Sequence, residues 1–165
     1  MSALPPHLPI DTAPPSLHAI GMERMHATTV ALNGDAVLLR GDSGSGKSDL
    51  ALRLIDDGWD LVADDYTELH EADGALCARA PENIQGMIEV RGIGIVRIGC
   101  VARARVVAIF DLVALSDIER LPDTTREALL GHAIPRYALH GFDASAPAKV
   151  RLALKAQAEA LFHNG

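Results

Sequence analysis

The sequence predicts a single α/β domain whose sheet is mixed and largely antiparallel, with a phosphate-binding loop leading into its first helix. Three observations carry this. Hairpin signals outnumber strand-helix-strand units, so a purely parallel sheet is not expected. A complete G-x-x-x-x-G-K-[ST] motif lies between an apolar strand and an amphipathic helix. The chain has 165 residues and 48% hydrophobic content, enough for one real core, with no second block of composition.

The elements follow in order. Residues 1–16 hold Pro5, Pro6, Pro9, Pro14 and Pro15, five of the nine prolines, and read as an extended or disordered tail. The domain is therefore placed at 17–165, with structure starting near His18. Residues 28–32 and 36–39 flank Asn33-Gly34, a two-residue hairpin signal because both positions tolerate positive φ. The phosphate loop thus follows the second arm of an antiparallel hairpin. Over residues 47–57, Leu50, Ala51, Leu54 and Ile55 recur at helical spacing, and Gly58 is placed to end that helix. Trp59 follows as a core anchor.

Leu61-Val62-Ala63 is a short apolar strand running into Asp64-Asp65. Residues 66–70 and 75–80, around Asp73-Gly74, read as a second hairpin. In residues 88–96, "IEVRGIGIV", Glu89 and Arg91 are expected on one strand face, followed by Gly92 and Gly94. Residues 105–112 form a buried strand and 124–130 a short helix. Ser145, with Pro147 just inside, opens and caps a last helix reaching about residue 161.

Composition narrows the function classes. Charged residues make up 22% and aromatics 4%, as in an aliphatic-rich globular protein. Net charge is -7, from 15 basic and 22 acidic side chains, the wrong balance for non-specific nucleic-acid binding. No apolar run is long enough to cross a bilayer, and no secretory signal opens the chain, so no membrane partner and a cytoplasmic location are expected. Cys77 and Cys100 lack C-x-x-C spacing and read as two buried, reduced thiols. His132, His140 and His163 have no metal spacing, and Lys149, Arg151 and Lys155 read as a solvated helix face.

The chemistry sits in three places. Gly41-Asp42-Ser43-Gly44-Ser45-Gly46-Lys47-Ser48 is the full phosphate motif. Its glycines let successive backbone N–H groups turn towards phosphate oxygens, and the following helix offers its positive end. Lys47 supplies a point charge to the β and γ phosphates and Ser48 a hydroxyl to Mg²⁺. Asp64 and Asp65 come 17 and 18 residues after Lys47, about the shortest helix-out, strand-back path to the loop. Neighbours on a strand face opposite ways, so the two have different jobs. One assists the metal and the other accepts a proton from an attacking hydroxyl; the bland alternative is two solvated aspartates opening a loop. Glu89 suits a hard cation and Arg91 a phosphate fork, against the alternative of a surface ion pair. His26, on its strand, reads as a structural histidine unless a wider pattern says otherwise.

With these residues in hand, the chain resembles the catalytic domain of the bacterial HPr kinase/phosphorylase family. That family joins a G-[DE]-S-G-x-G-K-S loop to a paired aspartate in "LVADD" and a signature near E-[IV]-R-G-[LI]-G-I. Here these are residues 41–48, Asp64-Asp65 and residues 89–95. A histidine 21 residues before the loop lysine is matched by His26, and an arginine in a later turn by Arg120 in "IERLP". The resemblance implies a P-loop kinase domain similar to phosphoenolpyruvate carboxykinase, using ATP and Mg²⁺ to phosphorylate a serine of the phosphocarrier HPr. Such an enzyme regulates carbon metabolism through the phosphotransferase system, and the resemblance implies a homo-oligomer. It also implies that Asp65 accepts the proton, supported by Asp64 and His26. Lys47 would hold phosphate, Ser48 and Glu89 would bind Mg²⁺, and Arg91 and Arg120 would act on the transferring phosphate.

Against the family pattern, a proline-rich tail of 16 residues is expected where the family often has an N-terminal domain, and Asp49 stands where glutamate is usual. Near the C-terminus it keeps the Ile134-Pro135 lead-in but not the Pro-Gly-Arg-Asn segment tied to phosphorolysis. The kinase direction therefore survives the comparison better than the phosphorylase direction. Two other readings stand beside it: an ATP-binding regulatory protein without turnover, and a small-metabolite kinase. The hairpin feeding the loop counts against the latter.

Overall fold

The computed structural model describes residues 21–163. The proline-rich segment and His18 lie outside the described residues. In chain order the elements are β1 (Met22–His26), β2 (Thr28–Leu32), β3 (Asp35–Arg40), α1 (Lys47–Asp56), β4 (Asp60–Ala63), β5 (Tyr66–Ala72) and β6 (Ala75–Arg79). They continue as β7 (Met87–Val90), β8 (Gly94–Arg97), β9 (Ala104–Leu112), β10 (Thr125–Leu129), β11 (His132–Leu139) and α2 (Ala146–Glu159).

Nine strands form one sheet in the order β1-β5-β6-β9-β3-β2-β4, with β11 also paired to β9 and β10 to β11. Six of its pairings are antiparallel and two, β3–β9 and β9–β11, are parallel, so the mixed and largely antiparallel expectation holds. β7 and β8 make a separate two-stranded sheet. β9 is the axis. It pairs with β3 along one edge, and on the other with β6 at Ala104 and Arg105 and with β11 from Ile109 to Leu112.

Alternation along β3 divides the core in two. Val37 and Leu39 face a cluster with Leu50 and Leu54 of α1, Val150 of α2, Trp59 and Phe110. Ala36 and Leu38 face a second cluster with Leu69, Leu76, Ile109, Leu129 and Ile134, to which neither α-helix contributes. Both helices therefore cover one face, and the strands close over the other. Among the described residues no helix is long and apolar enough to cross a membrane.

The local turn chemistry is realised where the sequence placed it. Asn33-Gly34 (φ 53° and 84°) and Asp73-Gly74 (φ 53° and 78°) turn tight hairpins with both residues at positive φ. α1 stops in a reciprocal C-terminal cap: Trp59 N–H donates to Leu54 O (3.1 Å) and Gly58 N–H, at φ 100°, to Ile55 O (3.0 Å). Trp59 and Leu54 then share the core, which confirms the tryptophan as an anchor, 3% exposed. The two cysteines are free; Cys77 is buried and Cys100 half-buried. Arg151 bonds Asp57 at 2.6 Å and Lys149 pairs with Asp143, so the basic face of α2 also ties it to the end of α1 and to the turn before α2.

Three expectations are corrected. Residues 124–130 are not a helix: Thr125–Leu129 is strand β10, turning through Leu130-Gly131 (φ 47° and 83°) into β11. Arg, Glu, Ala and Leu favour helix intrinsically, but the pairing with β11 overrides a weak local preference. The Glu89–Arg91 stretch is not one strand either. The chain reverses at residues 91–93, with Gly92 at φ 85°, so Glu89 stands on β7 and Arg91 in the turn. Ser145 makes no side-chain cap; its carbonyl accepts Lys149 N–H at 2.9 Å instead.

One charged network pins the strand that enters the phosphate loop. Arg40, the last residue of β3, donates to Asp111 (2.8 and 3.2 Å) and to Glu127 (2.6 and 3.0 Å). Arg136 adds bonds to Asp111 and lies 3.4 Å from Glu127. The bonds from Arg40 hold the Glu127 carboxyl below its ordinary 4.5. Burial pushes Asp111 upwards, but the bonds from Arg40 and Arg136 outweigh it and take it below 3.8. Depressed carboxylates stabilise the fold above their unfolded pKa, and that stabilisation is lost as pH falls through the folded values. Asp111→Asn should therefore cost about 2 kcal/mol at pH 7, and its stability should fall less than the wild type's between pH 5 and pH 3, measured by urea unfolding.

Candidate active site

The loop after β3 is shaped by positions that cannot carry a side chain. A methyl group on Gly41 (φ 153°) would come within 2.8 Å of Leu112 O, and Gly46 (φ 100°) begins α1 in the left-handed region. Ser45 N–H donates to Asp42 O at 3.0 Å, closing the turn. Lys47 is buried, and its Nζ donates to the loop's own Gly41 and Asp42 carbonyls (2.7 and 3.1 Å), which fixes the ammonium at the loop's centre.

Asp64 and Asp65 sit in the bend between β4 and β5 and do separate. Asp64 is 8% exposed and accepts three bonds from neutral donors: Ser48 Oγ (2.9 Å), Thr28 Oγ1 (3.1 Å) and Glu89 N–H (3.0 Å). No cationic side chain pairs with it among the described residues. Asp65 points the other way and is exposed. It takes φ 67°, and Tyr66 N–H bonds back to Asp64 O at 2.7 Å. That is the left-handed form of the γ-turn, rare and strained, and such strain is stored where position matters.

Pairing explains why these groups meet. β1 and β5 run antiparallel with His26 opposite Tyr66, which sets the imidazole beside Asp65; His26 Nε2 donates to Asp65 Oδ1 at 2.7 Å. β2 pairs with β4 through Thr29 and Ala63, with a register shift one residue on, so Thr28 faces the bend. Thr28 Oγ1 both donates to Asp64 and accepts the Asp65 N–H at 3.1 Å.

A cleft of about 700 Å³ opens between this loop and the β7–β8 hairpin, a size common for small-ligand sites. Ser43, Gly44, Gly46, Lys47 and Ser48 line one side, Glu89 to Ile95 the other, with Asp65 at the junction. Gly41, Asp42 and Ser45 shape the loop behind, and Asp64 lies beneath. Arg91 stands on the hairpin rim. Arg120 is exposed, in the bend between a 3-10 turn (Leu115–Asp117) and β10, and does not line the cleft.

The donor set fits a magnesium ion. Ser48 Oγ is held by a buried carboxylate that lacks a cationic partner, and Glu89 adds a second carboxylate to the cleft. Among the described residues no three-ligand cluster of His, Cys, Asp or Glu exists. Mg²⁺ suits such a place because it takes one or two carboxylates and completes its shell with water and substrate phosphate.

Sequence reasoning missed Thr28, Arg53 and Phe142. Thr28 was hidden inside a β-branched strand run. Arg53 pairs with Asp49 four residues earlier, a legible helix pair, but its bonds to the Gly141 and Asp143 carbonyls depend on the tertiary fold. Phe142 reaches the cleft from a loop with no motif of its own.

Fold and cleft together define a phosphate-loop domain of the kinase type. The family model described as HPr Serine kinase C-terminal domain matches residues 20–137, and the chain belongs to that family. Among its relatives is the HPr kinase/phosphorylase of Clostridium botulinum (strain Eklund 17B / Type B), 45% identical over 73 residues, which cover 44% of this chain and 24% of that protein. The HPr kinase/phosphorylase of Clostridium novyi (strain NT) is 48% identical over 75 residues, covering 46% and 24%. The matched stretch thus spans about a quarter of these relatives' length. The structure of the Hpr(Ser) kinase/phosphatase from Coxiella burnetii superposes with a TM-score of 0.74 at 25% identity, covering 84% of this chain and 98% of that one.

Thr28 is the hinge pin of the two aspartates, and its removal should be measurable. Thr28→Val takes one donor from Asp64 and orphans the Asp65 N–H, costing about 2–3 kcal/mol in urea unfolding, whereas Thr28→Ser should cost under about 1 kcal/mol.

Proposed function

We propose that this domain is an ATP- and Mg²⁺-dependent protein-serine kinase whose acceptor is HPr or an HPr-like phosphocarrier. In this reading it acts in the cytoplasm, as a homo-oligomer, in the control of carbon metabolism. The observation that carries it is Asp65: a carboxylate set in a strained turn, bonded to His26, at the junction of the cleft that holds Lys47 and Ser48. A domain that only held nucleotide would have no use for a second, exposed carboxylate oriented this way.

Each group then has a task. The loop amides and the N-terminus of α1 take the phosphates, and Lys47 supplies charge next to the terminal one. His26 engages one oxygen of Asp65 and fixes the carboxylate's direction, leaving the other to receive the proton of the acceptor serine. The serine oxygen forms its bond to the γ-phosphorus as the bond to ADP breaks, and the proton passes to Asp65. Arg91, on the rim, faces the transferring group as a phosphate fork. Ser48 and Glu89 would hold Mg²⁺, with Asp64 orienting the serine hydroxyl from behind; the ion supplies neutralisation of phosphate charge.

Incubation with γ-labelled ATP, Mg²⁺ and HPr should give acid-stable, alkali-labile phosphate on a serine. Nucleotide binding without any labelled acceptor would support a regulatory nucleotide holder instead, and a labelled product below protein size a metabolite kinase. Asp65→Asn should lower transfer by at least about 100-fold while ATP affinity stays within about threefold. Parallel loss of binding would reassign Asp65 to a metal or folding role.

A further inference from the structure

The lining of the cleft is of two chemical kinds. Lys47, Ser48, Asp65 and Glu89 are polar or charged. Ile93 and Ile95 of the hairpin, Leu52 of α1, 39% exposed, and Phe142, 55% exposed, are apolar, and nothing in the phosphoryl-transfer reading uses them.

Phe142 is held rigidly although its ring is open to the cleft. A methyl group added to Gly46 would meet that ring at 3.3 Å, so the aromatic lies directly against the end of the phosphate loop. Its neighbour Gly141 is equally tight, since a methyl group there would come within 2.7 Å of Ser45 O. Arg53 of α1 donates to the carbonyls on both sides of Phe142, those of Gly141 and Asp143 (2.9 Å to the latter). Asp143 N–H closes the turn onto His140 O at 3.1 Å, and the His140 ring meets Phe142 edge-on at 6.0 Å between centroids. An apolar ring left more than half exposed, yet fixed on both flanks, is a surface prepared for a partner.

The neighbouring chemistry identifies that partner. In the nucleotide reading the phosphates lie on the loop amides and the N-terminus of α1. Phe142 lies against Gly46 at the end of that loop, and Leu52, four residues beyond Ser48, stands one helical turn along α1 in the same cleft. A nucleotide seated by its phosphates therefore has an aromatic face within the same cleft. We infer that Phe142, with Leu52 in the same cleft, is the platform on which the base of the bound nucleotide stacks. This rests on the nucleotide reading given above and adds to it the place and chemistry of nucleoside recognition. Stacking uses the face of the base, and aromatic platforms of this kind contribute about tenfold or more to affinity.

Calorimetric titration of the full chain with ADP and with inorganic pyrophosphate separates nucleoside from phosphate recognition. Phe142→Ala should weaken ADP about tenfold and leave pyrophosphate within about twofold, while Phe142→Tyr keeps ADP affinity near that of the wild type. Equal weakening of both ligands by Phe142→Ala would mean that the ring only supports the phosphate loop, and would overturn the assignment, as would no change in either. Wild-type protein that binds pyrophosphate and ADP with the same affinity would also refute the platform while leaving the phosphate loop in place. Failure to bind either ligand would instead remove the nucleotide reading itself, and the platform with it.

Discussion

One buried carboxylate organises this domain's working end. Asp64 collects a hydroxyl from α1, a hydroxyl from β2 and a backbone N–H from β7, all from its own place in the bend between β4 and β5. Four segments far apart in sequence are thereby fixed to a single point. A buried carboxylate is tolerable only when hydrogen-bonded, so the three donors are a condition of its being there. Each of them in turn ties in a group that lines the cleft: Ser48 stands beside Lys47, Thr28 also holds the Asp65 amide, and Glu89 lies in the cleft itself. Remove the central acid and the relative placement of these groups has no common reference.

Asp65 shows the complementary case. Its carboxylate is exposed and engaged by His26 at one oxygen only, yet its backbone is tightly specified by the γ-turn and by Thr28. The scaffold thus concentrates its rigidity in the main chain and leaves the side chain exposed. The charge network at Arg40 has a similar role at the neighbouring strand, anchoring the entry to the phosphate loop through side chains that never approach the cleft.

How much of this was legible depended on how local the signal was. Asn33-Gly34, Asp73-Gly74 and Gly58 announce their turns because positive φ is demanded within two or three residues. The phosphate motif and the following paired aspartates were readable for a related reason: a short helix and strand return the chain to its start. β10 was not readable, because its helix-favouring residues are overruled by a partner strand and its turn hides a leucine at positive φ. Nor was the reversal at residues 91–93, where a glycine-rich signature looked like one strand. Thr28 and Phe142 owe their positions to pairing register and to Arg53, neither of which leaves a trace in neighbouring sequence. Arg120, matched only by resemblance, is set outside the cleft among the described residues.

The triple partnership of β9 has a consequence for how the chain reaches this arrangement. Asp35 pairs with Arg105, Cys77 with Arg105 from the opposite edge, and Ile109 with Arg136, so the middle of the sheet joins residues drawn from across most of the polypeptide. Contacts of such wide sequence separation place the domain among slow folders, because loop-closure entropy is lost before the pairing can compensate for it. During synthesis, the strand that delivers the phosphate loop stays unpaired along one side until the ribosome has made the segment about 70 residues later. The loop's glycines, lysine and serine can be translated early, but the cleft they line is complete only once β9 and, later, Phe142 have been made.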